Sequence, residues 1–363
     1  MNLTKSSRKS WYRCSFIRRV PISLGVVMMM AATSWIVPLA AKANPYLAKP
    51  GEAAVTVTAA TCATTGGFVH FYAALDNGLF DKYGIKVNHA AIRGAPAALA
   101  AVASNQVQFL YCAAVATIPG MATGMDAKLV ASPHVGLPWV LLARKDVKKV
   151  EDLRGKSIGV SRTGDLDHRV AMALLKKFNL TEQEVTIRSI GGSQPEKYQA
   201  MVMDVIQATP VGPPLDVRGK KDGFNLIYDL KDLNTPFIYS SLHTNSKILK
   251  EQPGLVQRFV AGLAEAIHFV EKNPDKAKAS IAKVLKLTDP EALQSAYDSS
   301  AKAIINRGMT VPANWVEETV KMAREQGTEV KKKPEELFDN SFVENLEKSG
   351  FLREIWGGPV PGK

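Results

Sequence analysis

The chain has 363 residues, 46% of them hydrophobic and 22% charged, with a net charge of +12. That balance is ordinary for a globular protein and excludes long disordered tracts, and the length allows two or three domains. Seven of the basic residues and none of the acids fall within residues 1–43, so the remainder carries only +5, too mild to argue for nucleic acid and compatible with an anionic ligand without demanding one.

The N-terminal segment differs in kind. Lys5, Arg8, Lys9, Arg13, Arg18 and Arg19 precede an uncharged run at 20–41 and the small-x-small site Ala41-Lys42-Ala43. A basic region, an apolar stretch and such a site predict a secretory signal peptide over 1–43, cleaved after Ala43, and export to the periplasm. An uncleaved anchor is the alternative reading, because the apolar run is long enough to span a bilayer. Pro38 and the A-x-A site favour cleavage, and the residues around Arg18-Arg19 fit a twin-arginine signal poorly. Cys14 leaves with this segment. Two cysteines, Cys62 and Cys112, remain.

From residue 54 the chain alternates between strand and helix patterns. Strands are predicted at 54–59, 85–91 and 107–114, with helical spacing at 68–80 and 93–106. After an extended stretch at 128–144 the alternation resumes, with strands at 156–161, 185–190 and 205–211 and helices at 166–180 and 196–205. From Gly254 the pattern turns helical. Leu255, Phe259, Leu263, Ile267 and Val270 mark one apolar face, and further helices are expected at 289–304 and 314–327. Lys331-Lys332-Lys333-Pro334 reads as a solvated linker to a Gly/Pro-rich tail. Repeated β-loop-α units predict an α/β fold with parallel-rich sheets covered by helices. The extended segments near 136–146 and 234–246 predict a two-strand hinge between lobes. The expected division is lobe 1 from 44–138 and 237–330, lobe 2 from 139–236, and a C-terminal extension at 331–363.

Several stretches then occur in a familiar order: YAALDNGLFDKYGIKV, AIRGAPAALAAVASNQVQFLY, VEDLRGKSIGVSRTGD, QATPVGPPLDVRGKKDGFNLIYDL and LKEQPGLVQRFVAGLAEAIHFVEKNPDKA. Together the chain resembles the periplasmic substrate-binding proteins of ABC importers, in the group that binds nitrate, sulfonates, taurine and thiamine precursors. The resemblance implies a type II periplasmic-binding-protein fold that closes on a small ligand, with a permease and a separate ATPase as partners. It implies no cofactor and no catalysis, and a monomer is expected. Many relatives carry an acid after the third strand and another in the second lobe. Here those stretches read YCAAVA and IQATPV, so the pocket is expected to be less acidic and no relative's ligand transfers directly.

Ligands in such sheets sit beyond the C-terminal strand ends, where helix N-termini and glycine-rich turns face the cleft. Four starts of this kind are present: Thr61–Gly67, Arg93–Pro96, Ser161–Asp165 and Gly191–Gln194. They offer Thr61, Thr64, Thr65, Thr163 and Ser193 as hydroxyl donors, and Arg93 and Arg162 as carboxylate or sulfonate clamps. Each is otherwise an ordinary loop or capping residue. His134 and Trp139 lie near the first crossover, where Trp139 either closes over a ligand or packs the hinge. Pro213, in the Pro-Pro segment, is a further candidate. In the family's sheet order Cys62 and Cys112 end neighbouring strands, and a disulfide, two thiols lining the pocket and a metal site all remain open. The other histidines show no metal-ligand spacing. GKSIG at 155–159 is no nucleophile elbow, since Ser157 begins a strand, and no phosphate-binding loop accompanies it. A ligand receptor serving a sensor or another transporter type, and a thiamine-precursor enzyme, stand as alternative functions.

Overall fold

The computed structural model describes residues 44–233 and 237–362. The expected signal peptide and its cleavage site lie outside the described residues. Chain order begins with β1 (Val55–Thr61), α1 (Val69–Asp76), β2 (Ile85–Ala91), α2 (Ala95–Ala103), β3 (Phe109–Cys112), α3 (Ala114–Ala122) and β4 (Lys128–Val135). It then crosses to β5 (Val140–Ala143), β6 (Ser157–Val160), α4 (Leu166–Lys177), β7 (Thr186–Ser189), α5 (Gln194–Val202), β8 (Ala208–Val211), α6 (Leu215–Lys221) and β9 (Asn225–Asp229). It returns through β10 (Ile238–Thr244), α7 (Ser246–Glu251), α8 (Pro253–Lys272), α9 (Pro274–Leu285), α10 (Pro290–Asp298), α11 (Ala313–Glu325), α12 (Ser341–Lys348) and α13 (Phe351–Trp356).

Two five-stranded sheets result, ordered β2-β1-β3-β10-β4 and β7-β6-β8-β5-β9. In the first, β1 runs parallel to β2 and β3, while β10 is antiparallel to β3 and β4. In the second, β6 is parallel to β7 and β8, and β5 is antiparallel to β8 and β9. The β-loop-α units thus form the parallel parts, and the antiparallel strands β5 and β10 are those that enter each lobe from the other. Both crossings are hydrogen-bonded to one another. Gly136 N–H donates to the Phe237 carbonyl at 2.7 Å, and Leu230 N–H to the Trp139 carbonyl at 2.9 Å.

The predicted apolar face of α8 is buried at Leu255, Phe259, Leu263, Ile267 and Val270. Phe259 stacks on Phe109 and packs on Phe80 with ring centroids 4.1 and 4.5 Å apart, so this helix seals the first sheet. Two differences from the sequence reading stand out. The third strand stops at Cys112 rather than running through Ala114, and the alanine-rich stretch after it forms α3 despite Pro119 inside it. Ala113, Ala114, Ala116, Ala122 and Gly120 keep this helix slim enough to lie close against α2 and α11. The tail, read without elements, contains α12 and α13. The backbone at Lys331 and Lys332 is held by the Ala122 carbonyl, and Leu129 N–H donates to the Leu337 carbonyl. Side chains of Lys331 and Lys333 remain exposed.

Candidate functional site

A cavity of about 180 Å³ opens at the C-terminal ends of β1, β3 and β6. Parts of all four predicted loops line it: Thr61–Thr65, Arg93–Ala95, Ser161 with Asp165, and Gly192–Gln194. Of the predicted residues, Thr61, Cys62, Thr64, Thr65, Arg93, Trp139 and Ser193 reach its wall.

The floor belongs to the first lobe. Cys62 and Cys112 form a disulfide with Cα atoms 5.4 Å apart, which settles the alternatives left open by the sequence. Its reach makes Cys62 a wall residue, whereas Cys112 is wholly buried behind it. Thr65 caps the turn that follows β1, accepting from Gly67 N–H at 3.2 Å, and its hydroxyl also meets the Tyr239 hydroxyl at 3.2 Å. Tyr239 and Trp139 close the hinge side, with ring centroids 5.8 Å apart and planes 80° apart. Two glycines make room for them. A Cβ on Gly67 would lie 2.3 Å from the Tyr239 ring, and one on Gly212 2.4 Å from the Trp139 ring. Phe68 completes the aromatic wall.

The second lobe supplies charge. Asp167 accepts from Ser161 N–H at 2.8 Å, from the Ser161 hydroxyl at 2.7 Å and from His168 N–H at 2.9 Å. It also pairs with Lys197, whose ammonium donates to the Pro210 carbonyl at 3.1 Å and lies 5.9 Å from the centre of the Trp139 ring. Lys197 is 0% exposed and Asp167 3%, so this is a buried, fully bonded ion pair. Asp165 is 8% exposed. Burial raises its pKa, against the lowering effect of a hydrogen bond from Ala95 N–H at 2.8 Å. That bond crosses the cleft, because Ala95 begins α2 of the first lobe. The lobes also meet through Lys176–Glu325 at 2.8 Å and through Lys221 with Asp289 and Glu291 at 3.1 and 2.6 Å.

The remaining predicted residues sit elsewhere. His134 is buried behind the wall, its Nε2–H donating to the Ser300 carbonyl at 2.7 Å and its Nδ1 facing the Ser240 hydroxyl. Arg162 packs against Gly94 outside the cavity lining. Thr163 is exposed. Pro213, joined to Pro214 by a cis peptide, lines a wider groove of about 1050 Å³ on the other face of the hinge, together with Trp139 and Asp216. Ser193 reaches the cavity but is also committed locally, its backbone N–H and hydroxyl donating to Glu196 at the start of α5.

The sequence reading missed Phe68, Asp167, Lys197 and Tyr239. It expected a pocket less acidic than those of many relatives, because the strand ends usually acidic in them are not, and it did not place Asp167 in the wall. Two carboxylates, Asp165 and Asp167, reach the cavity from the start of α4. The visible signal was Asp165-Leu166-Asp167 at a helix start, a position where acids are common for capping alone.

A cleft walled by two α/β lobes that cross twice, with its lining gathered at the strand ends, defines the periplasmic-binding-protein fold, the fold of the solute-binding components of ABC importers. The chain belongs to the NMT1/THI5-like family, whose model matches residues 66–277. A riboflavin-binding protein of Chloroflexus aurantiacus is 22% identical over 269 residues, 72% of this chain and 76% of that one. The alkanesulfonate-binding protein of Xanthomonas axonopodis, solved with MOPS bound, shares the fold at a TM-score of 0.67 and 15% identity, over 80% of this chain and all of that one. A desulfurization enzyme matches at a TM-score of 0.56 and 15% identity, over 81% of this chain and 99% of that one. The fold therefore does not by itself exclude catalysis. Among the described residues no group of His, Cys, Asp and Glu is arranged to hold a metal, and no helix is long and apolar enough to cross a membrane.

Proposed function

We propose that this protein is the periplasmic solute-binding component of an ABC importer, which captures one small organic molecule between its lobes by hinge closure and delivers it to a permease driven by a separate ATPase. The observation that carries the reading is that a single cavity takes its wall from both lobes, with Trp139 and Tyr239 beside the crossing strands and Asp165 reaching across to Ala95. A ligand held by both lobes binds the closed arrangement more tightly than the open one and shifts the population toward it. The lobes divide at the crossings near residues 136–139 and 230–237. Thr61, Thr64, Thr65, Arg93, Trp139 and Ser193 act as ligand contacts, and Cys62 holds the floor through its disulfide.

The enclosed volume is below the roughly 300–1,000 Å³ usual for drug-sized ligands, which favours a ligand the size of a single ring. Residues 1–43 are read as a cleaved signal peptide, and N-terminal sequencing of exported protein beginning at Met1 would exclude that. The capture reading is tested by native mass spectrometry of protein purified without ligand addition, followed by small-angle scattering with the molecule it releases. Binding with compaction and return of the molecule unchanged is expected. Chemical conversion of that molecule would favour the enzymatic use of this fold, and binding without compaction would refute hinge closure.

A further inference from the structure

Asp165 occupies the N-cap position of α4, yet its side chain makes no bond to that helix. Asp is among the best N-cap residues, and the cap it forgoes is a local one. Its Oδ1 instead accepts from Ala95 N–H, the first residue of α2, across the cleft. Gly94, at the N-cap of α2, has no side chain to do this. The second oxygen of Asp165 receives no hydrogen bond among the described residues, although the residue is nine-tenths buried in the cavity wall.

The start of a helix is a natural seat for an anion. Here the protein's own carboxylate fills it. The other charges around the cavity do not reverse the outcome. Asp167 and Lys197 neutralise one another. Arg93 is an exposed rim residue facing Glu196. Arg162, whose buried Nη1 has no hydrogen-bond partner among the described residues, favours ionised Asp165 from beyond Gly94 without an ion pair and lies outside the cavity lining. An organic anion entering this space must displace Asp165 or lie beside its charge. A hydrogen-bond donor instead completes it, and Trp139, Tyr239 and Phe68 supply apolar faces for a ring.

We propose that the cavity selects a planar ligand bearing N–H donors, such as an amidine, aromatic amine or carboxamide, and that the free oxygen of Asp165 receives that donor. This rests on the ligand-capture reading and replaces the anionic ligand that Arg93 and Arg162 suggested from sequence. Burial raises the pKa of Asp165, so its charge is incompletely stabilised before a donor arrives.

The test is titration calorimetry of the purified protein with benzamidine, benzamide and benzenesulfonate, three probes that share a ring and differ in charge and donors. Benzamidine should bind at least tenfold more tightly than benzenesulfonate, with benzamide between them. Asp165→Asn keeps an acceptor for Ala95 and removes the charge. It should weaken benzamidine at least tenfold while narrowing the gap to the sulfonate. Wild-type discrimination needs no variant, so the proposal stands or falls even if Asp165→Asn fails to fold. Benzenesulfonate binding as tightly as benzamidine overturns it, and compaction with the sulfonate would leave ligand capture intact. Silence from all three probes at millimolar concentration also overturns it, whereas capture is judged separately by the molecule carried through purification.

Discussion

The buried histidines make a quantitative demand on stability. His134 and His243 are both fully buried, and burial is the main cause that pushes each from 6.5 down to about 4. Their tautomers follow from their partners. Nε2–H of His134 donates to the Ser300 carbonyl, and Nδ1–H of His243 donates to the Leu110 and Ser241 carbonyls at 3.1 Å. The other nitrogen of each ring faces a hydroxyl, of Ser240 and Thr117 respectively, and no carboxylate is bonded to either ring to offset the cost of burying the charge an added proton brings. The unfolded chain binds that proton near pH 6.5 and the native chain only near 4, so stability is full above about pH 7 and falls as pH drops through this window. At pH 5 the difference is about 2 kcal/mol for each ring, or about 4 for the pair. His70, lowered well below its usual value and without a hydrogen-bond partner among the described residues, adds with the same sign. Urea unfolding between about pH 5 and 8 measures the loss, and His243→Asn, which keeps a donor toward Leu110, isolates one share. The variant should lose about 2 kcal/mol less than the native protein between pH 8 and 5. Parallel losses in the two proteins would refute the assignment of His243 as a buried neutral imidazole.

Other consequences are as direct. The Cys62–Cys112 bridge spans 50 residues in sequence. The loop-entropy relation gives about 4 kcal/mol for such a loop, so reduction or Cys62→Ala with Cys112→Ala should lower urea stability by 2–4 kcal/mol on that scale. A thiol assay on denatured, unreduced protein lacking residues 1–43 should find no free thiol. Lys197→Met leaves Asp167 charged and unpaired in the interior, at a cost of about 3–5 kcal/mol, and adding Asp167→Asn should recover much of the loss in the same assay. Gly67→Ala drives a methyl into the Tyr239 ring. It should cost about 1–3 kcal/mol of stability and weaken binding of any ligand that contacts Tyr239, read by calorimetry.

The fold was legible because β-loop-α alternation survives in single residues. The strand at 85–91 was read to the residue, and the five apolar positions of α8 are those that are buried. α3 was hidden because alanine-rich sequence carries no periodic contrast and Pro119 argues against a helix. The site was half legible for a related reason. Its backbone turns announce themselves through Gly, Ser and Thr, so the four loops could be placed. The groups that give the cavity its character come from helix interiors and from β10. Lys197 is on the second turn of α5 and Tyr239 is in the returning strand. Only the tertiary fold brings Tyr239 to the cavity wall and sets Lys197 behind it, against the wall residue Asp167. His134 and Arg162 failed to reach it for the converse reason. Their places near strand ends were right, but one side chain turned inward to Ser240 and the other packed beyond Gly94.

The hydrogen bonds around the crossings also say where a hinge can bend. On the first-lobe side, His134 of β4 is bonded to Ser240 of β10, and Gly136 N–H holds the Phe237 carbonyl. On the second-lobe side, Leu230 N–H holds the Trp139 carbonyl. Each set ties one crossing to the other, so each end of the double strand should turn as a unit. In the proposed closure the pivot on the outgoing chain falls at 137–138, immediately beside Trp139. The ring that walls the cavity is therefore carried by the first residue beyond the pivot, where a small rotation moves it against Tyr239. Trp139→Ala should weaken ligand binding and blunt compaction together, whereas a ring that serves only hinge packing would lower stability and leave the affinity of the folded protein intact. Calorimetry and scattering on the same variant separate the two roles.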